Sequence, residues 1–152
     1  MRAIRKGVSR ERLIEAGRRV REAGIKLSVT VLLGIAGRER SVMHAQATGS
    51  ILTAIDPNYV GALTLMVLPN TDLGAQVREG KFPLLTPREL LQELGIMLAH
   101  THMSQGLFLS NHASNYLPIK VKMPADKEKG LALIEAALNN QVPLKPEWMR
   151  AL

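Results

Sequence analysis

Two runs of sequence restrict what this chain can become more than anything else in it. Lys26-Leu-Ser-Val-Thr-Val-Leu-Leu33 and Tyr59-Val-Gly-Ala-Leu-Thr-Leu-Met-Val67 are rich in strand-forming residues, and the first is apolar at nearly every position after Ser28. Continuous apolar character in segments this short points to strands covered on both faces, as in a parallel sheet. Parallel neighbours need a crossover of a dozen or more residues, usually a helix. The intervening Arg40–Ile55 supplies one, with Val42, Met43, Ile51, Leu52 and Ile55 as core candidates.

The remaining elements fit the same alternation. Ser9 caps a helix predicted to run to about Ala23, stopped by Gly24, with Leu13, Ala16, Gly17 and Val20 on one face and arginines over most of the rest. Asp56-Pro-Asn58 is a turn, and Leu68-Pro-Asn-Thr71 ends the second strand. Thr86-Pro-Arg-Glu89 joins a capping box to a proline at the first helical position and opens a helix expected to reach about Met103. A short strand at Gly106–Ser110, a polar loop at Asn111–Pro118 and a helix started by Pro124 and Asp126 and ending near Asn139 follow. Residues 1–142 read as one α/β unit, and 143–152, with Pro143 and Pro146, as a loosely ordered tail. The predicted fold is therefore α/β, with about three largely parallel strands and right-handed helical crossovers. Three strands cannot close a barrel, so they form a small open sheet or a sector of a larger one.

Composition narrows the chemistry. The 152 residues include no cysteine, which excludes disulfides, a thiol nucleophile and any iron–sulfur cluster held by this chain's own thiolates. Residues 1–40 carry 11 Lys/Arg against 4 Asp/Glu, and residues 41–152 carry 9 of each, so the whole excess of +7 sits in the first quarter. Such a patch suits RNA or phosphate, or is simply the solvated side of a helix. No apolar run approaches membrane-spanning length, and a charged amphipathic segment follows the basic N-terminus where a signal peptide would be apolar. A cytoplasmic protein is the expectation.

In parallel α/β sheets, function gathers in the loops at the carboxyl ends of the strands. Here those loops are Gly34–Glu39, Leu68–Asp72 and Asn111–Leu117. Gly34 and Gly37 would let backbone approach a nucleotide, yet two glycines three apart make no dinucleotide or P-loop fingerprint and equally suit a simple turn. Asn111, His112, Ser114, Asn115 and Tyr116 place five polar side chains within six residues, either facing a ligand or bonding their own loop. His100 and His102 point to different sides of a helix, His44 stands alone, and Glu89 and Glu93 read as a solvated pair, so no protein metal site is expected. Met43, Met66, Met97 and Met103 read as core filling.

Three stretches together resemble the later barrel segments of the radical SAM superfamily, closest to its Elongator-subunit, MiaB and NifB-type group. Val29-Thr-Val-Leu-Leu-Gly-Ile-Ala-Gly-Arg-Glu39 is similar to the fifth-strand segment, and Leu63-Thr-Leu-Met-Val-Leu-Pro-Asn-Thr71 to the sixth strand and its turn. Leu109-Ser-Asn-His-Ala-Ser-Asn-Tyr-Leu-Pro118 resembles a segment of one uncharacterised branch, and Ile4–Val8 the stretch after the fourth strand. Asn70, Asp72 and Leu68 depart from the group's usual glycine, proline and glutamate.

The resemblance implies a partial TIM-like barrel whose cluster-binding C-x-x-x-C-x-x-C half is missing. In intact relatives a 4Fe–4S cluster reductively cleaves S-adenosylmethionine, and the radical so formed abstracts a substrate hydrogen. It further implies adenine contacts from Leu32, Leu33, Gly34, Gly37, Val67 and Leu68, and a substrate-facing loop at Asn111, His112, Ser114, Asn115 and Tyr116. Alone, the chain would bind no cluster. Its expected partners are the missing half-barrel or a second copy meeting exposed edges. An RNA- or phosphate-binding module using the basic first helix is the rival expectation.

Overall fold

Ser9 accepts a hydrogen bond from the Arg12 N–H and starts α1, Arg10–Glu22; Gly24, at φ 74°, turns the chain out of it. These and the elements below are those of a computed structural model describing residues 7–151. The basic Met1–Lys6, including the start of the Ile4–Val8 segment, lies outside the described residues, as does Leu152. The order continues β1 (Ser28–Leu33), α2 (Ser41–Ile55), β2 (Tyr59–Thr64), α3 (Asp72–Arg78), α4 (Pro87–Ala99), β3 (Gly106–Leu109), β4 (Lys120–Met123) and α5 (Lys127–Leu138). The fold is α/β: an open four-stranded sheet in the order β1-β2-β3-β4, with only the β3–β4 pair antiparallel.

The expectation of three strands is therefore one short. Lys120-Val-Lys-Met123 alternates polar and apolar, the mark of a strand with one solvated face, and joins the edge beside β3. Other boundaries also move. Regular pairing of β2 stops at Thr64, not Val67, and α4 ends at Ala99 rather than Met103. The unforeseen α3 starts at Thr71, whose hydroxyl caps the Gly74 N–H. Val42 and Met43 are exposed and Met66 is only half-buried, so core filling falls to Leu52, Ile55, Met97 and Met103.

Both parallel crossovers step the same way along the sheet, so right-handed connections put α2 and α4 on the same face. The helices α1 and α5 pack against α2 and α4 respectively, completing one layer. Register makes the two faces of the sheet unlike. Val29, Val60, Phe108 and Val121 form one row across all four strands, and the last three are buried against the helices. The adjacent rows on the other face are Ser28, Tyr59, Leu107, Lys122 and Thr30, Gly61, Leu109, Lys120, with Leu32 beside Leu63 above them. All of these are half-buried or exposed. Continuous apolar sequence predicted cover on both sides; among the described residues the helices cover one.

Helix packing in that layer is close enough to need glycine. A Cβ on Gly49 of α2 would lie 2.8 Å from His100 Cβ and 2.9 Å from the Met97 carbonyl oxygen at the end of α4. Gly49→Ala should therefore push α2 off α4 and lower stability by roughly 1–3 kcal/mol, read from the urea midpoint at unchanged slope.

Candidate functional site

The carboxyl ends of β1, β2 and β3 lie along one edge of the sheet, because the three strands are parallel. The first loop is a tight turn, with the Gly37 N–H donating to the Gly34 carbonyl and both glycines at positive φ, 83° and 73°. Behind it stands Glu93 of α4, only 1% exposed. Its carboxylate accepts from the Gly34 N–H at 3.2 Å and the Ser41 hydroxyl at 2.6 Å, and pairs with His44 Nδ1 at 2.8 Å. One carboxylate thus ties the end of β1, the start of α2 and the middle of α4 together. Neither expectation for these residues holds: Glu93 is not solvated and His44 is not alone. The signal was present, since Glu93 sits among Leu90, Leu94 and Met97 on the buried side of α4. Glu89, half-buried, accepts from the Thr86 N–H and pairs with Arg38 at 2.8 Å. The Thr86 backbone bond chiefly, with Arg38 adding to it, lowers the Glu89 pKa.

The second loop leaves β2 after Thr64 with no regular structure as far as Leu68. The Leu68 carbonyl accepts from both the N–H and the hydroxyl of Thr71, and α3 packs so tightly there that a Cβ on Gly74 would lie 2.3 Å from the Leu68 oxygen. Val67, half-buried, forms no hydrogen bond within the described residues.

The third loop divides in two. Asn111 and His112 are exposed, whereas Ser114, Asn115 and Tyr116 are buried. Asn115 accepts from the Thr64 hydroxyl at 2.8 Å and donates to the carbonyls of Ala62 and Ser110 at 2.8 and 2.9 Å, bridging the ends of β2 and β3. Ser114 Oγ accepts from the Thr64 N–H at 3.0 Å. The Ser114 N–H donates to His112 Nδ1 at 3.2 Å, which fixes Nδ1 as an acceptor and leaves the proton on Nε2. Three of the five polar side chains are thus spent on structure, and two face outward.

The tail, expected to be loosely ordered, folds back here and straps this loop. The Lys145 N–H donates to the Tyr116 carbonyl at 2.8 Å, Arg150 Nε to the Ser114 carbonyl at 2.7 Å, and Arg150 Nη1 to the Tyr116 hydroxyl at 2.6 Å. Tyr116 in turn donates to Glu147, and its ring lies under the Arg150 guanidinium. Burial, and then the bond to Glu147, push the Tyr116 phenol up to about 12 against the opposing pull of Arg150. An unfolded tyrosine loses its proton near pH 10, so folding favours the protonated form; that contribution is complete below about pH 10 and is lost as pH rises towards about 12. Stability of the wild type should fall over this interval by on the order of 2 kcal/mol more than that of Tyr116→Phe, measured by urea denaturation at stepped pH.

The basic first helix is largely engaged with its neighbours. Arg10 donates to Ser50, Arg18 to the Ala54 carbonyl, and Arg21 to Asn58, with Asp56 3.5 Å from the last. These cations serve the carboxyl end of α2, where carbonyls attract positive charge.

Leu32 and Leu33 point to opposite faces: Leu33 is 2% exposed under the helices, and Leu32 lies half-buried on the open side. Positions for a Cβ on Gly34 and Gly37 meet Leu90 at 3.2 Å and the Phe82 ring at 3.3 Å, so both glycines also look away from that side. Of the six residues expected at an adenine, Leu32 and Val67 are those with groups free to meet one, together with the exposed side chain of Leu68. Among the described residues no group of His, Asp and Glu side chains could hold a metal ion, and no helix is long and apolar enough to cross a membrane. No protein-family model, curated protein or solved structure matches the chain.

Proposed function

We propose that this chain is the C-terminal sector of a radical SAM barrel and contributes one wall of the cavity for S-adenosylmethionine and substrate. One observation carries the reading: the sheet is wound in a single direction with α1, α2, α4 and α5 on one face, and the face left open among the described residues bears half-buried Leu32, Leu63, Leu107 and Leu109. Parallel sheets ordinarily have both faces covered, and a barrel provides the second cover by curving the sheet around its own interior. The three stretches resembling radical SAM segments end at the same edge of that sheet, as a ligand face would require.

The residues present fit the two expected groups unequally. A cluster needs thiolates, and the chain has none, so the cluster would belong to sequence outside it. S-adenosylmethionine, when bound, would supply the radical that attacks a substrate C–H bond. Leu32 and the backbone of Val67 would meet its adenine from the open side. Leu33, Gly34 and Gly37 would act behind them, with Glu93 holding the turn in shape. Asn111 and His112, the outward half of the third loop, would face substrate, while Ser114, Asn115 and Tyr116 keep that loop in place.

The test is the coding sequence upstream of Met1. A C-x-x-x-C-x-x-C motif within about 200 residues, roughly a half-barrel away, is the expected result. Its absence there, and from any separate protein that associates with this chain, would overturn the reading.

A further inference from the structure

We propose that the open face of the sheet takes a small phosphorylated ligand, with Lys120 and Lys122 binding the phosphate and the leucines beside them seating its apolar part. The inference rests on reading that face as a cavity wall, and it names the chemistry of what the cavity holds. The two lysines lie two residues apart on one side of β4, which puts their Cα atoms about 7 Å apart. Their cross-strand neighbours are Leu109 and Leu107. No carboxylate occupies any strand position on this face. Among the described residues neither lysine makes an ion pair or a side-chain hydrogen bond, and nor does Lys26, whereas Lys81, Lys127, Lys129 and Lys145 each reach a carbonyl or a carboxylate.

This face is polar on β1 and β2 as well, through Ser28, Thr30 and Tyr59, but none of those side chains is charged. The charge is confined to β4, and Leu107 and Leu109 beside it on β3 are half-buried. Two ammonium groups flanked by leucines on one side have no anion of their own among the described residues, and their charge would gain value where a ligand excludes water. Two separate point charges suit the multiple negative charge of a phosphate, which lysine binds as a point charge. An apolar floor beside a cationic pair selects an amphiphilic molecule over a bare ion.

The probe is 1-naphthyl phosphate, titrated into the full chain at low salt, with pyrophosphate and a short single-stranded oligonucleotide as comparisons. The expected result is that naphthyl phosphate binds more tightly than pyrophosphate and shifts the NMR signals of the Lys120 and Lys122 side chains. The double variant Lys120→Gln/Lys122→Gln, altered only at exposed positions, should keep its fold by circular dichroism and bind at least tenfold more weakly. Equal binding by wild type and double variant would overturn the proposal, as would preference for the oligonucleotide with shifts confined to the arginines of α1. The barrel reading can fail separately. If an upstream half-barrel associates with this chain and neither the complex nor the chain alone binds naphthyl phosphate, the phosphate site is wrong and the barrel stands. Lysine-dependent binding by a chain for which no such half exists leaves the site and removes the barrel.

Discussion

Replacing Glu93 by alanine is expected to lower the stability of the folded chain by roughly 3–5 kcal/mol, among the largest effects of any single side-chain truncation here. The carboxylate is 1% exposed and takes hydrogen bonds from Gly34 and Ser41 and a close contact from His44, at 3.2, 2.6 and 2.8 Å. Truncation leaves a buried backbone N–H and a buried hydroxyl with no acceptor, each costing about 1–3 kcal/mol, together with a cavity beside Leu90 and Met97. His44 suffers least, because its side chain is 23% exposed and can turn to water. Glu93→Gln keeps the volume and the acceptor oxygen that the Gly34 N–H requires, and its NH2 can donate to Ser41 only if that hydroxyl turns round, so it should fall between wild type and alanine. Urea denaturation of the three proteins checks the order. A loss below about 1 kcal/mol for Glu93→Ala would mean that water reaches the site and takes over the hydrogen bonds. The damage should also concentrate at the Gly34–Gly37 turn, seen as faster amide exchange there than in β3.

How much of this was legible beforehand differs between backbone and site. Capping chemistry was explicit: Ser9, the Thr86–Glu89 box and Gly24 mark boundaries that the protein uses. The two apolar runs gave the parallel pair β1–β2, because β-branched continuity reports burial directly. It did not report which side is covered, since half-exposed leucines and buried ones look alike in sequence. β4 was hidden between Pro118, which closes the polar loop, and Pro124, which reads as the start of the last helix, although the alternating Lys120–Met123 between them is long enough for an edge strand. The site was harder to read because polar residues changed roles. Glu93 and His44 lie 49 residues apart, and nothing local announces that they meet. The dense polar loop was recognised, but its division into a buried structural half and an outward half depends on Thr64 and the tail, both remote in sequence.

Asn115→Asp, which changes a single amide to a carboxyl, should destabilise the chain more at neutral pH than Asn115→Ala. Asn115 is 3% exposed; its amide NH2 donates to the carbonyls of Ala62 and Ser110, and its oxygen accepts from Thr64. Alanine removes all three bonds and strands the two carbonyls, a loss of roughly 2–4 kcal/mol. Aspartate keeps the bond from Thr64 but turns a carboxylate oxygen toward both carbonyls, burying a charge among acceptors and costing roughly 3–5 kcal/mol. Folding would then raise the pKa of the introduced group above its unfolded value of about 3.9. The sign follows: the variant is least impaired below about pH 4, where the neutral acid can donate one hydrogen bond, and its penalty grows as pH rises through the elevated folded value. The order of the variants should therefore invert, with aspartate the weaker at pH 7 and at least the equal of alanine near pH 4. Denaturation curves at the two pH values, referred to wild type under the same conditions, test this. Parallel curves for the two variants at both pH values would mean that the amide's direction is unimportant and that Asn115 serves only to fill space. Inversion would identify it as the bond that holds the carboxyl ends of β2 and β3 together, beneath the loop that presents Asn111 and His112.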